Sequence, residues 1–290
     1  MNHRISRINF FLLGFLLFYL MGAGLLAMAA LRFFPSCSGL VLSATVYPLV
    51  FGGALLFFLR RTRQPAAEAL RLHRVPASSV LLSVLIGLLI QPTLMMVSYA
   101  SQCIFKNFVS SSVAELLTLP LPLVLLTSAL LPALFEEFLC RGLILHEYRC
   151  CRPVVGLIVS ALFFALLHGN LQQALYALTA GVLFGLMATW TGSIWPSFTA
   201  HFTVNASQLI LARYWPAADT VDSSPRTLLL YGLLVLGTLP AVILCLRRLR
   251  RRHAVSGGTE SWPAFSVMWP FYLFLAFAGI LCVLSEFMPV

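Results

Sequence analysis

The sequence predicts an all-α, polytopic transmembrane helical bundle. Of its 290 residues, 60% are hydrophobic and only 10% are charged, whereas soluble domains usually carry about a quarter charged residues. The mean hydropathy is +0.93. Several uncharged runs approach the roughly 20 residues that a helix needs to cross a bilayer. These observations indicate an integral, multi-pass membrane protein.

We predict about nine spans. The first run could be mistaken for a signal peptide, but it is longer than the usual hydrophobic region of about 7–15 residues, so we interpret it as a retained span. In the third span, Gln91 and Pro92 predict a kink, because proline lacks a backbone N–H. The predicted spans are 10–31, 40–59, 80–99, 121–152, 153–167, 175–190, 194–211, 228–246 and 268–287.

The nineteen basic residues predict the orientation. With the amino terminus inside, fourteen lie in inner loops and four in outer loops, and Arg141 lies in the membrane. This asymmetry follows the positive-inside rule and places the carboxyl terminus outside. The net charge of +10 therefore belongs to helix ends beside lipid, and nucleic acid is not an expected partner. The outer basic residues are Arg32, Lys106, Arg213 and Arg226.

We predict one integral membrane unit with three parts. Residues 1–120 supply amino-terminal helices, 121–211 a core that holds the polar residues described below, and 212–290 carboxyl-terminal helices. The expected setting is the plasma membrane of a bacterium. The seven cysteines contain no CxxC pair. Cys37 and Cys103 both fall in outer loops, where a disulfide between them is geometrically allowed.

Two adjacent carboxylates, Glu136 and Glu137, lie inside the fourth apolar segment. Ionisable groups at membrane depth cost several kcal/mol, so they usually face a protein interior or a wet cavity. On a helix, Glu137 and Arg141 share a face, while Glu136 points about 100° away. A structural ion pair explains Glu137 and Arg141, but it leaves Glu136 without a role.

Two later apolar segments carry histidines, His168 and His201. A single histidine on an apolar helix is more often a satisfied core residue than a catalyst, but two of them downstream of a double glutamate favour a shared site. Glu136 and His168 lie at nearly equal distances from the turn between their helices, so they can share a water molecule. His201 starts lower unless the turn that precedes its helix is sunk into the membrane.

Several protease classes do not fit. Aspartyl intramembrane proteases need two membrane aspartates, and the chain has only Asp219 and Asp222, in one outer loop. The metalloprotease motif HExxH has no match. The nearest serine candidate, Ser193 beside Gly192, lies at a membrane edge without an adjacent base.

The remaining residues resemble the CPBP family of CAAX proteases and bacteriocin-processing enzymes, also called the Abi family. Three motifs carry the resemblance: EExxxR at 136–141, FxxxH at 164–168 and HxxxN at 201–205. EExxxR alone is a weak signal. All three occur in order on apolar segments within the predicted core.

The resemblance implies an intramembrane endopeptidase that acts on a membrane-embedded or lipidated protein or peptide. Glu136 is then the general base for a water held between it and His168. His201 and Asn205 are then hydrogen-bond donors to the oxyanion. The remaining pair, Glu137 with Arg141, keeps the helix in register.

Metal dependence is left open at this point. Glu136, His168 and His201 also form the ligand set of a zinc protease. We prefer a mechanism without a cofactor, because Asn205 suits an oxyanion donor better than a zinc ligand. If Glu137 is taken by Arg141, no acid is expected to orient a ligand histidine.

Three other functions are considered. Bacteriocin self-immunity or signal-peptide processing would use the same chemistry in a different role. A proton-coupled transporter also places such residues in a membrane core, but no inverted repeat is apparent. A non-catalytic scaffold could use the same residues to bind a protein.

Overall fold

The computed structural model describes residues 2–106, 118–214, 225–253 and 261–287. Over these ranges the chain forms ten α-helices and no β-strand. The helices are α1 (Asn2–Phe33), α2 (Ser38–Val46, continued by Tyr47–Phe51 and Gly52–Thr62), α3 (Ala66–Ala69), α4 (Ala77–Gln102), α5 (Leu121–Cys150), α6 (Pro153–Leu166), α7 (Leu171–Thr191), α8 (Trp195–Tyr214), α9 (Pro225–Arg252) and α10 (Phe265–Ser285).

The prediction of an all-α membrane bundle is confirmed, although not every predicted span has the length and hydropathy of a membrane-crossing helix. Seven helices in the described ranges are long and apolar enough to cross a membrane. The fifth and seventh predicted spans correspond to α6 and α8, which are not among the seven. With 14 residues, α6 is about 21 Å long, shorter than the roughly 30 Å hydrocarbon core. The polar side chains of HxxxN lower the hydropathy of α8.

Irregular turns interrupt several of the long helices. The predicted kink in α4 is confirmed, because the helix breaks at Ile90 between Ala77–Leu89 and Gln91–Gln102. A π-helical turn in α2 spans Tyr47–Phe51 and contains Pro48. The glutamate helix α5 has two more, Leu126–Leu130 and Phe138–Ile144. Such wide turns are frequent at functional sites.

Small residues let α6 and α7 pack closely. A Cβ atom placed on Gly181 would lie 3.3 Å from Cα of Ala161, and one on Gly185 would overlap the side chain of Leu157. The sequence spacing of these glycines predicts such an approach. It places the backbone of α7 directly beside α6 and α5.

The connector 65–74, which was predicted as an inner loop, is docked into the bundle. Leu70 is buried and lies against Gly142, where a Cβ atom would be 2.9 Å from Cα of Leu70. Burial, and secondarily Arg149, lower the pKa of the Arg71 guanidinium to about 10. The other contacts of the connector are Ile194 N to Arg71 O at 3.2 Å, Arg71 Nη2 to Ala188 O at 3.0 Å, and Ser193 Oγ to His73 O at 2.6 Å.

These contacts place the α7–α8 turn on the connector. Because the connector in turn packs against Gly142 in the interior of α5, the turn lies deeper than the end of α5. The sequence required such a turn, lying deeper than a helix end, if His201 was to reach the depth of Glu136. It allows His201, early in α8, to reach the middle of α5.

A buried acid ties the amino terminus to the inner end of α5. Glu147 is fully buried and accepts hydrogen bonds from Arg7 at 2.6 Å, Gln64 at 2.8 Å and Arg4 at 3.2 Å. Each carboxylate oxygen of Glu147 therefore has a cationic partner, as buried charges require. At the other end of the bundle, Cys103 is a free, exposed thiol, and the side chain of Cys37 lies outside the described residues.

Candidate active site

The predicted ion pair between Glu137 and Arg141 is present on α5. Both side chains are fully buried, and Arg141 Nη1 donates to Glu137 Oε1 at 2.8 Å. Arg141 Nη2 donates to the carbonyl oxygen of Gly181 at 3.0 Å. The close approach of α7 provides this acceptor, so the pair joins α5 to α7.

Two aromatic rings cover the Arg141 guanidinium. Its Cζ lies 4.4 Å from the ring centroid of Phe164 and 5.5 Å from that of Phe184. The negative face of an aromatic ring attracts a desolvated cation. Among the described residues, Nε of Arg141 has no hydrogen-bond partner. The cation is therefore held by one carboxylate, one carbonyl and two rings.

His201 approaches the same carboxylate from α8. Its Nδ1 lies 3.1 Å from Glu137 Oε1, and its ring stacks on Phe184 with centroids 5.0 Å apart. A carboxylate only accepts hydrogen bonds when it is ionised, so Nδ1 carries the proton. The expectation that Glu137 is fully used by Arg141 is therefore wrong. One carboxylate oxygen accepts from both partners because it has more than one lone pair.

Glu136 has different neighbours from Glu137. It is buried, with 9% of its surface exposed, and its Oε1 accepts a hydrogen bond from the Tyr47 hydroxyl at 2.9 Å. Its Oε2 lies 3.8 Å from His201 Nε2, which is too far for a direct hydrogen bond. Tyr19 and Tyr176 also interact electrostatically with Glu136. Glu136 is therefore oriented by a tyrosine hydroxyl rather than by arginine.

His168 lies just after the end of α6 and is half-buried. Its Nδ1 is 2.9 Å from the carbonyl oxygen of Phe164. Since a carbonyl only accepts, Nδ1 is the donor and Nε2 is left unbonded within the described part of the chain. The ring lies near Tyr176, with centroids 6.2 Å apart. His168 makes no direct hydrogen bond or ion pair with Glu136, and a water shared by the two stays a prediction.

Asn205 lies one helical turn after His201 on α8 and is half-buried. Its amide makes no hydrogen bond to any residue in the described ranges, so both amide protons are available. The neighbouring backbone is fixed, because Gln91 Nε2 donates to the carbonyl oxygen of Val204 at 2.9 Å and to Ser207 Oγ at 2.6 Å. The kink of α4 provides Gln91.

The structure thus brings Arg141 and His201 onto the carboxylate of Glu137, and it places Glu136 Oε2 3.8 Å from His201 Nε2. His168 and His201 share a neighbour, since Phe164 contacts both rings. Sequence reasoning missed Phe184 and Tyr47, and it gave no role to Phe164, the first residue of FxxxH. Phe184 lies on an apolar helix without any local signal, and Tyr47 lies far upstream of the three motifs. Only Pro48, next to Tyr47, indicated an irregular helix there.

The candidate residues meet only some of the requirements of a metal site. No group of three His, Cys, Asp or Glu side chains within the described ranges is arranged to hold a metal ion. However, Nδ1 of His168 and Nδ1 of His201 each face an acceptor, as ligand histidines usually do. The expectation that no acid would orient a histidine is therefore not an argument against zinc. Both the preferred cofactor-free site and the zinc alternative stay predictions.

Comparison with known proteins identifies the family of the core. Residues 118–207 match the family model described as type II CAAX prenyl endopeptidase Rce1-like. The match includes all six candidate residues, from Glu136 on α5 to Asn205 on α8. No curated protein and no solved structure matches the chain. Over residues 118–207 the chain therefore carries an Rce1-like domain of the CAAX intramembrane protease family.

Proposed function

We propose that this protein hydrolyses a peptide bond of a membrane-associated or lipidated protein or peptide, with Glu136 as the general base. One observation carries the proposal. Glu136 is a buried carboxylate of the site that no arginine neutralises, and its Oε2 lies 3.8 Å from His201 Nε2. A carboxylate within reach of a water molecule can take its proton.

Glu136 and His168 can carry out the proton transfers that hydrolysis requires. Glu136 Oε2 takes a proton from water as the water oxygen bonds to the carbonyl carbon of the substrate. His168 Nε2 accepts a hydrogen bond from the second O–H of that water, because the ring proton is on Nδ1, which donates to the carbonyl oxygen of Phe164. As the oxyanion re-forms the carbonyl, the C–N bond breaks and the proton on Glu136 moves to the leaving nitrogen, which gives a carboxylic acid and an amine.

His201 and Asn205 stabilise the oxyanion. Nδ1 of His201 donates to Glu137, so Nε2 can donate to the oxyanion only when the ring carries both protons. Asn205 donates in every protonation state, because its amide is neutral. One such donor is worth about 2.7–4 kcal/mol of transition-state stabilisation in other proteases.

Glu137 and Arg141 position the site rather than react. Glu137 holds His201 at Nδ1, and Arg141 compensates the charge of Glu137 at 2.8 Å. A carboxylate in this position fixes the tautomer and orientation of the imidazole, as the aspartate of a serine protease triad does.

The family name and the membrane setting define the substrate class that we propose. The matching family model is named for prenyl endopeptidases, and Glu136 lies near the middle of a 30-residue apolar helix. A lipid-modified or membrane-inserted peptide can place its scissile bond at that depth. We place the protein in the plasma membrane of a bacterium.

The test uses purified protein in liposomes with matched prenylated and unmodified peptides. We expect cleavage at one peptide bond, identified by mass spectrometry of both products, with no stoichiometric zinc. Activity should persist after prolonged treatment with phenanthroline. One zinc per chain, with activity lost on chelation and restored by added zinc, would replace this mechanism with one in which Glu136, His168 and His201 are ligands.

A further inference from the structure

Tyr47 touches the proposed base but lies outside the family match at 118–207. Its hydroxyl donates to Glu136 Oε1 at 2.9 Å, across 89 residues of sequence. A phenol can donate only one hydrogen bond, so this contact uses its proton. No other hydrogen bond of Glu136 to a described residue is found.

The fold fixes the ring of Tyr47 in this position. Tyr47 begins the π-helical turn of α2, with Pro48 directly after it. Its ring packs against Phe51, with centroids 5.0 Å apart, and lies parallel to Phe135, with centroids 6.4 Å apart. Because Phe135 directly precedes Glu136, the ring is held beside the same turn of α5 that it hydrogen-bonds.

The contact makes the two oxygens of Glu136 unequal. Oε1 accepts from Tyr47, while Oε2 lies 3.8 Å from His201 Nε2. A carboxylate is free to rotate about its last single bond when nothing holds it, since terminal torsions of this kind are broad. With Oε1 held, Oε2 is the oxygen that faces His201.

We propose that Tyr47 is a positioning residue that holds Glu136 with Oε2 toward the reacting water. This inference rests on the proposed function, because it assigns a partner to the proposed base. It also gives α2 a role in the site that the three motifs of the core do not contain.

Tyr148 provides a matched control that separates a positioning role of Tyr47 from a purely structural one. Tyr148 is also buried, and its hydroxyl donates to Asn9 Oδ1 at 2.5 Å, but it lies at the inner end of α5 away from the site. Tyr148→Phe removes the same atom from a comparable environment. A general loss of one buried hydrogen bond should therefore affect both variants similarly.

The kinetic test compares Tyr47→Phe and Tyr148→Phe with the wild type. A hydrogen bond to a charged group is worth enough to change a rate by roughly 10- to 100-fold. We expect kcat of Tyr47→Phe to fall by about that factor with KM nearly unchanged. Tyr148→Phe should keep both kcat and KM.

Infrared difference spectroscopy tests the contact without requiring activity. The carboxylate band of Glu136 is identified as the band that Glu136→Gln removes, and Tyr47→Phe should shift it. An unshifted band would contradict the contact, and a shifted band with normal kcat would contradict the positioning role. Normal turnover by Glu136→Gln would instead refute the proposed function, so the two failures are distinguishable.

Discussion

At the scale of single residues, Arg141 combines three kinds of contact that require a planar guanidinium. Nη1 donates to Glu137, Nη2 donates to the backbone of α7, and Cζ lies over the rings of Phe164 and Phe184. Lysine offers one ammonium at the end of a flexible chain, so it cannot make these contacts at once. A positive charge alone is therefore not sufficient to hold Glu137, α7 and the two rings together.

We predict that Arg141→Lys destabilises the protein although the charge is kept. Breaking a buried ion pair completely costs roughly 3–5 kcal/mol, and Arg141→Ala should lose about that much. The lysine variant should fall between alanine and wild type in thermal unfolding in detergent. Arg251→Lys, on an exposed arginine, is the control and should melt like wild type. Wild-type melting of Arg141→Lys would show that charge alone holds the pair.

The residue contacts also show how far the sequence could predict the site. The pairing of Glu137 with Arg141 follows from i, i+4 spacing within one helix. The contact of His201 with Glu137 depends on how deep α8 starts, which is set by the docked connector. The contact of Tyr47 with Glu136 depends on the packing of α2 against α5. Tertiary placement of this kind leaves no periodic signal in the sequence.

At the scale of helices, the predicted spans lie on observed helices, but the ends of the helices differ from the predicted ends. The first span was predicted from Phe10, but α1 begins at Asn2. Arg4 and Arg7 extend the helix because both bind Glu147. A hydropathy pattern finds only the apolar part of a helix, and polar turns stabilised by a distant acid fall outside it.

The connector shows the same limitation for loops. Its basic and polar residues predict an exposed inner loop, yet Leu70 is buried against Gly142. Only a residue without a side chain allows this approach at position 142. The glycine that follows EExxxR is therefore explained by a loop that packs against α5, which the motif by itself does not reveal.

At the scale of the whole molecule, the distribution of basic residues predicts the orientation of the protein in the membrane. The carboxyl-terminal ends of α2 and α9 carry exposed arginines, such as Arg61 and Arg251. The end of α4 at Gln102 is followed by a single lysine, Lys106, before the undescribed stretch 107–117. Positive residues of this kind are retained on the cytoplasmic side.

We predict that Cys103 reacts with a membrane-impermeant maleimide added outside intact cells, since its thiol is free and exposed at the end of α4. In a background with both Cys37→Ser and Cys103→Ser, Ala67→Cys and Arg251→Cys should react only after the membrane is permeabilised. Both positions are exposed in the structure, so a lack of labelling in intact cells shows that they lie on the inner side of the membrane. Labelling of Ala67→Cys and Arg251→Cys from outside would invert the topology.

The central claim is that two adjacent glutamates perform different tasks. Glu136 is proposed to activate water, whereas Glu137 holds Arg141 and His201. The most direct measurement records turnover and thermal unfolding of Glu136→Gln and Glu137→Gln side by side. We expect Glu136→Gln to fold normally and to have no measurable turnover. We expect Glu137→Gln to lose both activity and roughly 3–5 kcal/mol of stability. Turnover by Glu136→Gln, or wild-type unfolding of Glu137→Gln, would contradict this assignment.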